Sequence, residues 1–145
     1  MQLSTEEVHY LEDVAYQIRR LSVVMITYAR WGHIGGSLSM ADLLAVLYFH
    51  TMQVDPAKPQ WEERDRFILS KAHGSPGLYA TLAVRGYLPI EEVYTYCELG
   101  GRLEGHTDMT RTPGLESSGG PLGMGLSVAV GMALGLRLKE TPRVR

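Results

Sequence analysis

The chain has 145 residues, 45% hydrophobic and 21% charged, with 14 basic against 16 acidic side chains. That balance fits one ordinary soluble domain, and a net charge of -2 gives no electrostatic reason to expect nucleic acid or an anionic membrane as partner. The one cysteine, Cys97, excludes an intrachain disulfide and fits a reducing, cytoplasmic setting. The opening residues lack the basic and apolar regions of a secretory signal, and the long uncharged run over 117–136 is too rich in glycine and serine for a membrane span.

Ser4-x-x-Glu7 reads as a capping box. Leu11, Val14, Ala15, Ile18, Leu21 and Met25 then recur at helical spacing. The spacing predicts one helix over about residues 5–30, stopping near Trp31-Gly32. Ser39-x-x-Asp42 suggests a second cap. Leu43, Leu44, Leu47 and Tyr48 give the helix behind it an apolar face as far as Met52. Asp55-Pro56 and Lys58-Pro59 then require a loop. Arg66-Phe67-Ile68-Leu69-Ser70 is the best strand candidate and runs into Lys71-Ala72-His73-Gly74.

Residues 77–84 read as a helix that Gly86 ends. Pro89, with Glu91 and Glu92 behind it, opens another, and Cys97 is expected to be a buried helical residue. Residues 100–118 form a loop long enough to suggest function. It holds Arg102, Glu104, His106, Asp108 and Arg111, the two arginines being candidates for an anionic substrate. The last helix starts near Pro121. Gly123, Ser127, Gly131 and Gly135 make a small-residue stripe on it, and Arg137, Lys139 and Arg143 make a basic exit. The total is about five helices and one strand. A lone strand cannot form a sheet, so either strands escape this reading or their partners lie beyond Arg145. The expectation is a single partial domain over residues 1–145.

Three of the five histidines sit against glycine, as Gly32-His33, His73-Gly74 and Gly105-His106. Glycine allows close backbone approach, and histidine moves protons near neutral pH. Such pairs on separate segments point to a site assembled from loops. A fourth cluster, Gly119-Gly120-Pro121-Leu122-Gly123-Met124-Gly125, feeds a helix. It can present free N–H groups to a phosphate or serve only as a tight packing turn. It matches neither a P-loop nor a dinucleotide fingerprint. His73 follows a strand end and precedes a helix, where α/β proteins place ligand contacts. The three histidines are not spaced as metal ligands, and no cysteine cluster joins them. His9 and His50 read as structural or exposed. Each of the three paired histidines, taken alone, reads more readily as structural.

Taken together these segments resemble the N-terminal, diphosphate-binding half of transketolase. The resemblance rests on Gly32-His33-Ile34-Gly35-Gly36-Ser37-Leu38-Ser39-Met40-Ala41, on Asp65-Arg66-Phe67-Ile68-Leu69-Ser70-Lys71-Ala72-His73-Gly74-Ser75, on Gly105-His106 and on Gly120-Pro121-Leu122-Gly123-Met124-Gly125, in that order. The short segment before the first helix looks like the bacterial type in which transketolase is split into two polypeptides. The resemblance implies an α/β fold, a parallel sheet flanked by helices, of which this segment is the mostly helical N-terminal part with few strands. It implies a thiamine diphosphate enzyme that moves a two-carbon ketol unit between sugars, with the cofactor doing the carbon chemistry. It places His73 at the diphosphate, has Gly120, Pro121 and Leu122 line the cofactor, and turns His33 and His106 toward the sugar phosphate substrate and the reacting carbons.

The same resemblance implies what lies elsewhere. The family's Gly-Asp-Gly motif, which binds magnesium, is expected after the last helix, outside this chain. The glutamate that activates the cofactor comes from a C-terminal, pyrimidine-binding subunit, normally across a homo- or hetero-oligomeric interface. The 145 residues alone are therefore expected to be inactive. Where the family often has Gly-His-Pro-Glu, this chain has Gly105-His106-Thr107-Asp108, which puts the usual sugar specificity in question. A non-catalytic interaction module that keeps the fold is the alternative reading.

Overall fold

The computed structural model describes residues 3–139. In chain order its elements are α1 (Thr5–Ala29), α2 (Ile34–Leu38), α3 (Ala41–Val46) with a π-helical turn (Leu47–Thr51), a 3-10 turn (Ala72–Gly74), α4 (Ser75–Arg85), a 3-10 helix (Ile90–Thr95) and α5 (Met124–Leu138). Among the described residues no helix is long and apolar enough to cross a membrane.

The α1 helix begins where the sequence places it. Ser4 Oγ accepts from the Glu7 N–H at 3.2 Å, and Glu7 Oε2 accepts from the Ser4 N–H at 2.8 Å. This reciprocal pair satisfies N–H groups that the first turn leaves without partners. The predicted face is the buried one: Leu11, Val14, Ala15, Ile18, Leu21 and Met25 all turn inward. The helix ends on Arg30, in the left-handed conformation at φ 51°, two residues before the glycine expected to stop it.

The α4 helix is the centre of the molecule. Every residue from Ser75 to Ala83 is buried. Pro76 occupies the first turn, where its missing N–H costs nothing, so the helix begins two residues earlier than its periodicity alone suggests. Gly86, at φ 97°, ends it as expected. Its main packing partner is α1, and α2 and α3 close against the same pair. Ile18, Met25, Leu44, Leu78, Tyr79, Leu82, Val93 and Leu103 fill the core with almost no exposed surface.

Four expectations need correction. Ser39 does not cap a helix: α3 starts behind Met40 without a side-chain cap, because Ser39 Oγ is already engaged by Lys71 Nζ at 3.0 Å and donates to Gly36 O. The helix expected from Pro89 is a 3-10 helix. Cys97 is not a buried helical residue; it is exposed, with φ 61°. The 66–70 segment forms no strand among the described residues, because a ladder needs a second strand to supply its hydrogen bonds. Arg137 and Lys139 lie at the end of α5 as expected, and Arg143 lies outside the described residues.

Candidate functional site

His33, His73 and His106 come from three separate segments and meet edge to face. The His33 and His73 ring centroids are 4.7 Å apart at 70°, and those of His73 and His106 are 5.3 Å apart at 82°. His73 is therefore the middle ring. Trp31 extends the row, its indole 6.0 Å from His33 and 6.4 Å from Tyr96. Among the described residues none of the three imidazoles spends a ring nitrogen on a protein hydrogen bond, so all three remain available to a ligand.

Local chemistry places each ring. His33 caps α2 in an extended conformation, and its carbonyl accepts from Ser37 Oγ at 3.1 Å. His73 rides on the 3-10 turn that leads into α4. Lys71 binds that turn to α2 through Gly36 O at 2.7 Å. The backbone of the His106 loop is held at three successive carbonyls. Gly105 O accepts from Ser75 Oγ at 2.7 Å, His106 O from the Tyr79 hydroxyl at 3.2 Å, and Thr107 O from the Gly119 N–H at 2.8 Å. Gly105 permits the closest approach in the site, since a Cβ there would lie 2.5 Å from Trp31 Cζ3.

The glycine turn lies against the same segment as His73. A Cβ on Gly119 would meet Thr107 Oγ1 at 2.7 Å and Ala72 Cβ at 3.0 Å. One on Gly125 would meet Ser70 Cα at 2.6 Å. Gly123 starts α5 at φ 84°, a conformation that favours glycine. Gly120, by contrast, faces open space, and Pro121 and Leu122 are exposed beside it. An open groove of about 470 Å³ runs from Leu122 and Gly123 along Phe67, Ile68 and Leu69 to α3.

The charged loop residues serve the loop itself. Arg111 pairs with Glu104 at 2.6 Å and Arg102 with Glu92 at 3.1 Å, both at the surface, so the two arginines expected to hold an anion each have an acidic neighbour in this chain. Asp108 accepts from the Thr110 N–H at 2.9 Å and from Thr110 Oγ1 at 2.7 Å. Those two bonds, led by the side-chain one, hold its carboxyl below the usual carboxylate range. His9 and His50 are exposed and apart from the row. Sequence reading also passed over Glu116, whose carboxylate takes two bonds at 2.9 Å from Arg64 and one at 3.0 Å from Arg66. It passed over Ser75, Tyr79 and Trp31 as site-building residues too. Glu116, Ser75 and Tyr79 each act across a gap of chain that leaves no local pattern.

The family profile described as transketolase, thiamine diphosphate binding domain, matches residues 11–142. The chain is 48% identical over 132 residues to the 6-deoxy-6-sulfo-D-fructose transketolase subunit SqwG of Clostridium sp. (strain MSTE9), covering 91% of this chain and 48% of that protein. It is 42% identical over 127 residues to transketolase 2 of Escherichia coli (strain K12), covering 87% of this chain and 19% of that protein. Among solved structures, transketolase from Leishmania mexicana superposes with a TM-score of 0.83 at 38% identity, over 86% of this chain and 19% of that one. Transketolase from Campylobacter jejuni gives 0.81 at 36%, over 92% and 20%. The chain thus spans about half the length of the first relative and about a fifth of the others.

Proposed function

This chain belongs to the transketolase family through its thiamine diphosphate-binding domain, and from that premise we propose that it forms one wall of a site transferring a two-carbon ketol unit from a ketose to an aldose. The observation that carries the proposal is the meeting of His33, His73 and His106 in one row. His73 adjoins the segment on which the glycine turn docks.

The residues present fit thiamine diphosphate. His73 offers a ring N–H to a diphosphate oxygen, and the open backbone face of Gly120 lets the cofactor approach past Pro121 and Leu122. When bound, the cofactor supplies the carbon nucleophile that takes up and releases the ketol unit. His33 and His106 flank His73 and have free ring nitrogens, which suits them to hold substrate hydroxyls and to move protons at substrate oxygens. The described residues do not fit magnesium: no group of three His, Cys, Asp or Glu side chains among them could take a metal ion. We assign the magnesium ligands to the family's Gly-Asp-Gly motif, expected outside these residues.

The remaining assignments extend the same proposal. Residues 1–145 act as the N-terminal part of one diphosphate-binding domain, in the cytoplasm. Segment 66–70 becomes a strand once parallel neighbours from the rest of that domain fill its edge. A pyrimidine-binding partner completes the site within a homo- or hetero-oligomer. The substrates are sugars with a terminal anion, phosphate or sulfonate, the latter being the chemistry in the name of the Clostridium relative.

The test is ketol transfer by this chain combined with its pyrimidine-binding partner, thiamine diphosphate and magnesium. His33→Ala and His106→Ala should each lower kcat by roughly two orders of magnitude, with little change in cofactor affinity. Full activity in either variant removes that residue from catalysis. Transfer by the 145 residues alone overturns the placing of the metal ligands elsewhere.

A further inference from the structure

The His106 imidazole has no hydrogen bond to hold it among the described residues; its one ring contact is the edge of His73 at 5.3 Å. The orientation of this exposed ring therefore depends on how well its own backbone is fixed. That backbone is fixed closely. Three consecutive carbonyls, from Gly105 to Thr107, each accept one hydrogen bond. Two of the donors, Ser75 Oγ and the Tyr79 hydroxyl, belong to side chains with no exposed surface. They stand four residues apart on α4, one helical turn, and so present their hydroxyls side by side to adjacent peptide units. The same helix grows out of the turn that carries His73.

We propose that Ser75 and Tyr79 are positioning residues for the ketol-transfer site, setting His106 against His73 through the rigid first turns of α4. This rests on the catalytic role proposed for His106. The phenol ring of Tyr79 is already secured by the core, including Tyr96 at a centroid distance of 6.2 Å. Its hydroxyl is thus separable from its packing: Tyr79→Phe removes the bond to His106 O and leaves the ring in place. Small displacements of a reacting group are costly in rate, about a hundredfold for 1 Å, so the predicted defect lies in turnover rather than in cofactor or substrate affinity.

Two measurements decide the proposal. In the full chain with labelled histidines, NMR should show the His106 ring resonances moving and the His73–His106 ring cross-peak weakening in Tyr79→Phe, with His33 unchanged. Ser75→Ala should do the same through Gly105, and serves if Tyr79→Phe does not fold. In the complete assembly, either variant should lower kcat about tenfold, with KM for the ketose and Kd for thiamine diphosphate within twofold of wild type. Unchanged His106 resonances and cross-peak overturn the proposal. So does an equal rise in KM and Kd with kcat intact, because that marks a general loosening of the site. If the wild-type assembly transfers no ketol unit, the catalytic reading fails, and the ring cross-peak still decides whether α4 positions His106.

Discussion

Helices α4 and α5 are both rich in apolar residues, and the structure uses them in opposite ways. All nine residues from Ser75 to Ala83 of α4 are buried, whereas no residue of α5 is. Leu126, Val130, Leu134 and Leu138 of α5 stand more than half exposed. The histidine row is built on the first kind of support. His33 follows α1, His73 opens α4, and His106 is bonded to α4. The glycine turn belongs to the second kind: it meets the rest of the protein at Ser70, Ala72 and Thr107, beside the open groove along 67–69. The difference teaches that the histidine row is organised by a closed core. The glycine turn leads into a helix whose large apolar residues stand exposed.

The seam between the two regions offers the largest effect. The Glu116 side chain is almost enclosed between Arg64 and Arg66 and joins the segment before the glycine turn to the segment that leads to His73. Losing one partner of a buried ion pair costs about 3–5 kcal/mol. Glu116→Ala should lower the stability of the chain by that order in urea unfolding. A loss under about 1 kcal/mol would mean that solvent reaches the pair and that the seam is weaker than its geometry.

Truncations in the two helices contrast next. Leu78→Ala in α4 should cost about 2–5 kcal/mol by the same measurement, while Leu134→Ala in α5 should stay within about 0.5 kcal/mol. Equal losses would show that α5 is packed in solution and would break the contrast.

Alkaline pH gives a subtler separation. Burial raises the Tyr48, Tyr79 and Tyr96 phenols above their ordinary value of 10.0, so the folded chain keeps these protons after the unfolded chain has lost them. The stability they contribute is full below pH 10 and falls as the pH rises past it. The melting temperature should therefore drop above pH 10. Tyr79→Phe and Tyr96→Phe should flatten that drop, and an unchanged slope in both would contradict the burial of these rings. The α5 helix contains no tyrosine and contributes nothing to this limb.

The smallest effect concerns Cys97. Partial burial pushes its thiol up from the usual 9.0, so at pH 7 it carries less thiolate than a free cysteine. Its reaction with a disulfide reagent should be slower than that of a model thiol. A rate at or above the model thiol's would show that the loop beside Gly105 opens in solution.

What the sequence made legible follows from the range of each interaction. The buried face of α1, from Leu11 to Met25, repeats locally and is readable; so are the Ser4–Glu7 cap and the Gly86 stop. The Ser39 cap fails because Lys71, far along the chain, takes that hydroxyl. The 66–70 strand fails because a ladder is a property of two segments. The three histidines were readable as Gly–His pairs, and their order carried the family resemblance. Their assembly into one row was not readable, nor were the residues that enforce it. Tyr79 and His106 are 27 residues apart, and Arg64 and Glu116 are 52. Nothing in a local window links such pairs.

The central claim is that His73 is the middle ring of a row set against a diphosphate-binding turn. The most direct test is the Kd for thiamine diphosphate, by calorimetry, of the complete magnesium-containing assembly with wild-type chain and with His73→Ala. The account predicts at least a tenfold weakening, about 1.4 kcal/mol, with His33→Ala and His106→Ala close to wild type. An unchanged Kd in His73→Ala would contradict it.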